Sequence, residues 1–183
     1  MTIFSTYATP IKEGSIVSTK KTVEPSADGH YLVIDGRRWR ATDPSIPDTL
    51  RQELVDELMS ARRAVKNRES DARSRVNDAK VALGERGQPW WDEHEPQAFT
   101  QRIMATIRAL LRKRAGSSIC PSEVARVVGG EGESWRRYMN DIRQVAAEMA
   151  SQGELIATQK GAIVEPNKAR GPIRLLLPPK PIQ

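Results

Sequence analysis

Arg136, Asn140 and Arg143 follow one another at spacings of four and three, with Arg137 and Gln144 at the edges of the same stretch. On a helix, that spacing places them along one face. The chemistry they share is recognition of nucleic acid: guanidinium groups pair with guanine edges or phosphate, and carboxamides pair with adenine. The opposite line, Trp135, Met139, Ile142, Ala146 and Met149 with Val145 beside it, is apolar at helical spacing and is expected to be buried. Four later cations, Lys160, Lys168, Arg170 and Arg174, are suited to flanking phosphates. Arg108, Arg112 and Lys113 add positive charge upstream. The same face also suits plain solvation, with intrahelical pairs such as Arg137 to Asp141.

Charge distribution favours the first use. The chain has 183 residues and a formal charge of +6. Residues 1–97 hold 15 Lys and Arg against 16 Asp and Glu, whereas residues 98–183 hold 14 against 7. The whole basic excess therefore lies in the second half, where its field attracts polyanions.

Catalytic arrangements find little support. His30 and His94 are far apart in sequence, and Cys120 is the single cysteine. Three such residues cannot build the usual structural zinc set. Gly129-Gly-Glu-Gly132 lacks the lysine of a phosphate loop and carries acids that repel phosphate. The expectation is a protein that is not an enzyme and takes no metal or cofactor. Trp39, Trp90, Trp91 and Trp135 could stack on bases. Core packing is expected for Trp135, and core or interface packing for Trp90 and Trp91. Arg37, Arg38 and Arg40 could hold phosphate, but pairing with Asp56, Glu57 or Asp71 is expected instead. A lone cysteine, no apolar run of ~20 residues and no leader-like N-terminus point to a reducing, cytoplasmic setting without membrane contact.

These side chains need elements to hold them. Residues 1–28 show no clear periodicity and read as a flexible tail, with Ile16-Val17 as one short strand candidate. Asp35-Gly36, between two β-prone runs, predicts a hairpin. A helix is expected from about Ser45, with Ser45 or Ile46 as cap and Pro47 in the first turn. Its apolar stripe is Leu50, Leu54, Leu58 and Val65, with Val55 and Met59 beside it. A second helix carries Ala72, Val76, Ala79 and Leu83, and Gly84 and Gly87 end it. The two suit an antiparallel pair or self-association. Residues 96–98 read as a linker, and Thr100 as the cap of the next helix. Then come a short extended piece at Ser118–Cys120, a helix from Pro121 to Val128 and a glycine turn. The helix from Ser134 follows, then a hairpin about Lys160-Gly161 and a last extended piece at 171–175.

That order is helix, strand, helix, turn, helix and β-ribbon, the order of a winged helix-turn-helix. The stretch Ile119-Cys-Pro-Ser-Glu-Val-Ala125, Trp135-Arg136, Met139, Ile142-Arg143, Ala146, Gly153, Thr158-Gln-Lys-Gly161 and Arg170-Gly-Pro-Ile-Arg-Leu175 resembles the DUF3253 family over about residues 99–177. The resemblance implies a winged-helix-like fold and carries no activity with it. The segment from Tyr31 to Asp43, with Asp78–Gly87 and Trp90-Trp91, resembles another short uncharacterised bacterial protein family.

The sequence thus predicts a mainly α structure with small β elements, of α+β class. Its parts are a tail (1–28), a β-hairpin and helical-hairpin module (29–95), a linker (96–98) and a winged helix-turn-helix (99–183). The expected function is binding of nucleic acid, double-stranded DNA before RNA, as in a transcriptional regulator. The site comprises Arg136, Arg137, Asn140, Arg143, Gln144, Lys160, Lys168, Arg170 and Arg174. The alternative is a winged-helix module that binds protein and no DNA. A homodimer through the N-terminal helices is the expected self-association.

Overall fold

Asp35 and Gly36 both adopt positive φ, 51° and 73°, as the tight hairpin turn requires. They join β2 (Tyr31–Ile34) to β3 (Arg37–Arg40) in a computed structural model that describes residues 23–179. A third strand, β1 (Val23–Pro25), pairs antiparallel with β2, giving the order β1-β2-β3. Residues 23–25 were expected in the tail. They are ordered because Asp28-Gly29 builds a second turn. Gly29 has φ 71°, the His30 N–H donates to Asp28 Oδ1 at 3.0 Å, and the Tyr31 N–H donates to Ser26 Oγ at 2.9 Å. Ile16-Val17 lies outside the described residues.

Helix α1 (Asp48–Lys66) begins after Pro47, which is its cap and not part of its first turn. Ser45 does not cap it; its hydroxyl donates to Asp43 Oδ1 at 2.7 Å. The polar stretch 67–71 breaks the chain into a helical hairpin, with α2 (Ala72–Ala82) packed against α1. The buried line of α1 is Leu50, Leu54, Leu58, Ala61 and Ala64; Met59 and Val65 of the expected stripe are exposed. Because α2 and α3 cover that line within one chain, it is not the face through which a second copy would pair.

The expected linker is helical. Residues 96–98 are the first turn of α3 (Pro96–Lys113), with Pro96 at the first helical position. Its ring pre-sets φ, and its missing N–H would have no partner there in any case. Thr100 is accordingly inside the helix, and its hydroxyl donates back to the Pro96 carbonyl at 3.0 Å. Helix α3 packs against α1 and α2 as well as against α4 (Pro121–Gly129) and α5 (Met139–Ser151). Ile103, Ile107, Leu110 and Leu111 are buried along it, and one apolar cluster runs unbroken from Ile46 to Leu175.

The second sheet has the order β5-β4-β6, from β4 (Ile156–Gln159), β5 (Ala162–Ile163) and β6 (Arg174–Leu176). Lys160 and Gly161 turn β4 into β5 with φ of 51° and 85°. Ile119 extends this sheet past β6. Ile119 and Leu175 each donate an N–H to the other's carbonyl at 2.9 Å. Thus the described residues form an α+β structure of five α-helices and two small antiparallel sheets. None of its helices is long and apolar enough to cross a membrane.

Candidate nucleic-acid interface

The helix expected from Ser134 is two pieces: a 3₁₀ turn over Ser134–Tyr138, then α5. A 3₁₀ turn advances three residues per turn, so Arg136 and Arg137 are not in helical phase with Asn140 and Arg143. Close packing accompanies the change. A Cβ on Gly129 would lie 2.8 Å from Trp135 Cα and 2.8 Å from the Tyr138 ring. Glycine alone lets α4 approach this near. The Ser134 hydroxyl ties the 3₁₀ turn to α4 by donating to the Gly129 carbonyl at 2.7 Å. Trp135, expected in the core, is half-buried, with the guanidinium groups of Arg126 and Arg136 lying 4.9 and 5.0 Å from its ring centroid. Ile142, Val145, Ala146 and Met149 are buried as the apolar line predicts.

The predicted site residues divide into two groups. Arg136, Arg137, Asn140 and Gln144 are exposed. Arg136 forms an exposed ion pair with Glu133. Arg137 lies over the Tyr138 ring at 4.7 Å and donates to its hydroxyl at 2.7 Å, in place of the expected pair with Asp141. Lys160 is exposed at the hairpin tip, and Lys168 and Arg170 are exposed in the loop after β5. Lys168 pairs with Glu165 at 2.7 Å.

Arg143 and Arg174 are structural. Arg143 donates to the carbonyls of Pro166, Ala169 and Gly171 at 2.9, 2.6 and 2.5 Å. Its guanidinium is spent on holding the loop after β5 against α5. Asn167 adds a contact there, its amide donating to Gln144 Oε1 at 3.3 Å. Arg174 donates to the Ser118 hydroxyl at 2.8 Å and the Ser118 carbonyl at 2.9 Å, clamping β6 to the strand piece at Ile119. Neither is free to read a base.

The upstream cations are also engaged. Arg108 pairs with Glu154, Arg112 with Asp78, Lys113 with Asp56, and Arg114 with both Glu53 and Glu123. The Arg108 guanidinium holds the Glu154 carboxyl below its ordinary pKa, outweighing the opposing effect of burial. Four pairs join the two halves of the chain: Arg102–Asp43, Arg112–Asp78, Lys113–Asp56 and Arg114–Glu53. Part of the uneven charge along the sequence is therefore complementarity between halves.

The first-hairpin arginines do not pair with the acids expected. Glu57 is bound by Arg75 and Asp56 by Lys113. Arg38 lies over Tyr31 at 4.2 Å. Arg40 lies 5.6 Å from the Trp91 ring centroid and donates to the Gly87 carbonyl at 2.8 Å. Trp91 stacks on His30 at 3.9 Å, and the Trp90 indole donates to the Ala41 carbonyl at 3.1 Å, so both dock onto the first sheet. Cys120 caps α4. Its sulfur accepts from the Glu123 backbone, and Glu123 accepts from the Cys120 N–H at 2.6 Å. Nothing in the sequence distinguished this cysteine cap from a serine one except the Glu three residues on.

The bridge from Ile119 to β6 closes one unit, from α3 through β6, that contains all nine predicted site residues. Residues 100–178 match the DUF3253 family model, described as a protein of unknown function. The chain is similar to that family over this stretch. The matched stretch includes α3 from its fifth residue and leaves the first sheet, α1 and α2 outside. None of the curated proteins matches the chain.

Proposed function

We propose that the stretch similar to DUF3253 is a winged helix-turn-helix that binds duplex nucleic acid, DNA before RNA, with β4 and β5 as its wing. The observation that carries the reading is the Arg143 latch. By tying the loop after β5 to α5, it sets the exposed Lys168 and Arg170 of that loop beside α5, which carries the exposed Asn140 and Gln144, while Arg136 and Arg137 are exposed on the 3₁₀ turn just before α5. Lys160 is exposed at the tip of the β4–β5 hairpin and would supply a further phosphate contact. The exposed pairs Arg136–Glu133 and Lys168–Glu165 do not oppose the reading, because surface ion pairs contribute about 0–1 kcal/mol and a phosphate can replace the carboxylate. Regulation of transcription is one use of such a domain.

The test is fluorescence anisotropy of a labelled random-sequence duplex with the full chain at increasing salt. Each phosphate neutralised adds about −0.9 to the slope of log Kobs against log salt. The five exposed cations predict a slope of about −3 to −4.5 on that basis. Arg136→Ala with Arg137→Ala weakens binding and flattens the slope. A flat titration at low salt with folded protein overturns the reading.

A second reading, docking of a protein, is favoured by Ile163, which is 74% exposed and lines a concavity of about 690 Å³ with Ala147 and Val164. Under it, Ile163→Asp abolishes capture of the partner while duplex titrations stay flat.

A further inference from the structure

The first sheet has two faces, and among the described residues only one is covered. Tyr31 and Arg40 face the docked Trp91 on one side. On the other, the cross-strand pairs Leu32–Trp39 and Ile34–Arg37 put three apolar side chains and one cation on a single face. That face overlooks a groove of about 670 Å³, whose far wall includes Arg62 of α1 and Lys80 of α2. This volume lies within the range of ligand sites. Trp39 remains 48% exposed there, and the Lys80 ammonium lies 5.7 Å from its ring centroid.

Charge and shape together select the occupant. Arg37, Arg62 and Lys80 line the groove against Asp35 and Glu85, so it favours an anion; Arg40 also borders it, but its guanidinium donates to the Gly87 carbonyl. Lys80 and Glu85 are 3.6 Å apart, a loose pair, and among the described residues Arg62 makes a long contact to the Met59 sulfur at 3.8 Å and no ion pair. An exposed indole flanked by cations suits a planar ring carrying a phosphate, since an aromatic face stacks with any base and cations take the adjacent charge. We propose that this groove binds a nucleoside phosphate, its base stacked on Trp39 and its phosphate held by Arg37, Arg62 and Lys80. The ligand is a free nucleotide or a unit of a single strand; both share this chemistry. The site is outside the stretch similar to DUF3253 and independent of the surface proposed for duplex binding.

The experiment is calorimetric titration of the full chain with AMP, adenosine, ribose 5-phosphate and the single strand dT8. AMP is expected to bind at least tenfold more tightly than adenosine or ribose 5-phosphate. Trp39→Ala and the double variant Arg37→Ala, Arg62→Ala each weaken AMP at least tenfold, whereas Trp39→Phe retains most of the affinity. These side chains are exposed, so circular dichroism should show an unchanged fold. If dT8 binds more tightly than AMP with the same Trp39 dependence, a strand is the source; if AMP is the tighter, a free nucleotide is. Arg136→Ala with Arg137→Ala leaves AMP affinity unchanged, which separates this site from the duplex surface. Absence of both AMP and dT8 binding at millimolar concentration overturns the proposal. So does ribose 5-phosphate binding as tightly as AMP, or AMP binding that Trp39→Ala leaves intact.

Discussion

Asp43 is the residue on which the junction of the two halves depends. It is buried, and its carboxylate accepts from Arg102 at 2.7 Å, from the Ser45 hydroxyl at 2.7 Å and from the Ser45 N–H at 2.9 Å. Arg102 is also buried, and its Nε finds no partner among the described residues. Removing one member of a buried pair leaves the other charge without compensation. Asp43→Ala should therefore destabilise the fold by about 3–5 kcal/mol in urea unfolding. Asp43→Leu with Arg102→Met should lose much less, since apolar replacement of both partners is often near neutral; equal losses would remove the ion pair as the cause. His94 adds a pH effect. It stacks on Phe99 at 4.9 Å, and burial, reinforced by Arg102 and more weakly by Arg137, pushes its pKa below the ordinary imidazole value. Asp43 opposes this in part. The unfolded chain then binds the proton more readily than the folded one. Stability is full above about pH 6.5 and declines as pH falls toward the folded-state value. Urea midpoints at pH 7.5 and 5.5 should differ by less in His94→Phe than in the natural chain. Neither effect was legible beforehand, because Asp43 and Arg102 are 59 residues apart in sequence and the burial of His94 follows from tertiary packing.

Among the elements, those with strong local signals were readable and those set by packing were not. The Asp35-Gly36 hairpin, the end of α2 just before Gly84, and the Lys160-Gly161 turn follow from residue chemistry over a few positions. Asp28-Gly29 repeats the same turn signal and could have revealed β1. The start of α3 was misplaced because Thr100 resembles a cap, while Pro96 four residues earlier already favours the first helical position. The split of the helix expected from Ser134 into a 3₁₀ turn and α5 had no such cue. It depends on Gly129 admitting the Trp135 backbone and the Tyr138 ring, which are near only after folding. A methyl group there has no room, since one of its neighbours is backbone and cannot swing away. Gly129→Ala should cost about 1–3 kcal/mol by overpacking, although alanine favours helix elsewhere. It should also speed amide exchange over residues 134–138. A variant as stable as the natural chain would show that the turn yields easily. The same limit applies to the site. Periodicity grouped Arg136, Asn140 and Arg143 on one helix face, but could not tell that Arg136 lies on a 3₁₀ turn or that Arg143 meets three carbonyls of a loop more than 20 residues on.

At the scale of the whole molecule, the sequence suggested two modules and a linker, yet α3 gives one side to each. Four ion pairs and one apolar cluster cross the proposed boundary. The charge excess of the second half thus has two uses: complementarity to α1 and α2, and the exposed cations around α5. A composition count sees only their total. A shared core has a thermodynamic consequence. If the helical hairpin left α3, Leu54 and Leu83, which are fully buried, would meet water together with the cross-half charge pairs. Each large apolar side chain so exposed forfeits about 1.5–3 kcal/mol, comparable in sum to the whole stability of a small domain. Neither half should therefore persist once the other unfolds. Unfolding of the full chain in urea should be a single transition, with tryptophan fluorescence and far-ultraviolet circular dichroism coinciding. The probes sample different places once Trp135 is replaced by Phe: Trp39, Trp90 and Trp91 then report on the first sheet, whereas the helical signal comes from both halves. Fluorescence that changes at lower urea than the helical signal would mean that the first sheet detaches alone. Two resolved helical steps would show that α1 and α2 form a separate domain.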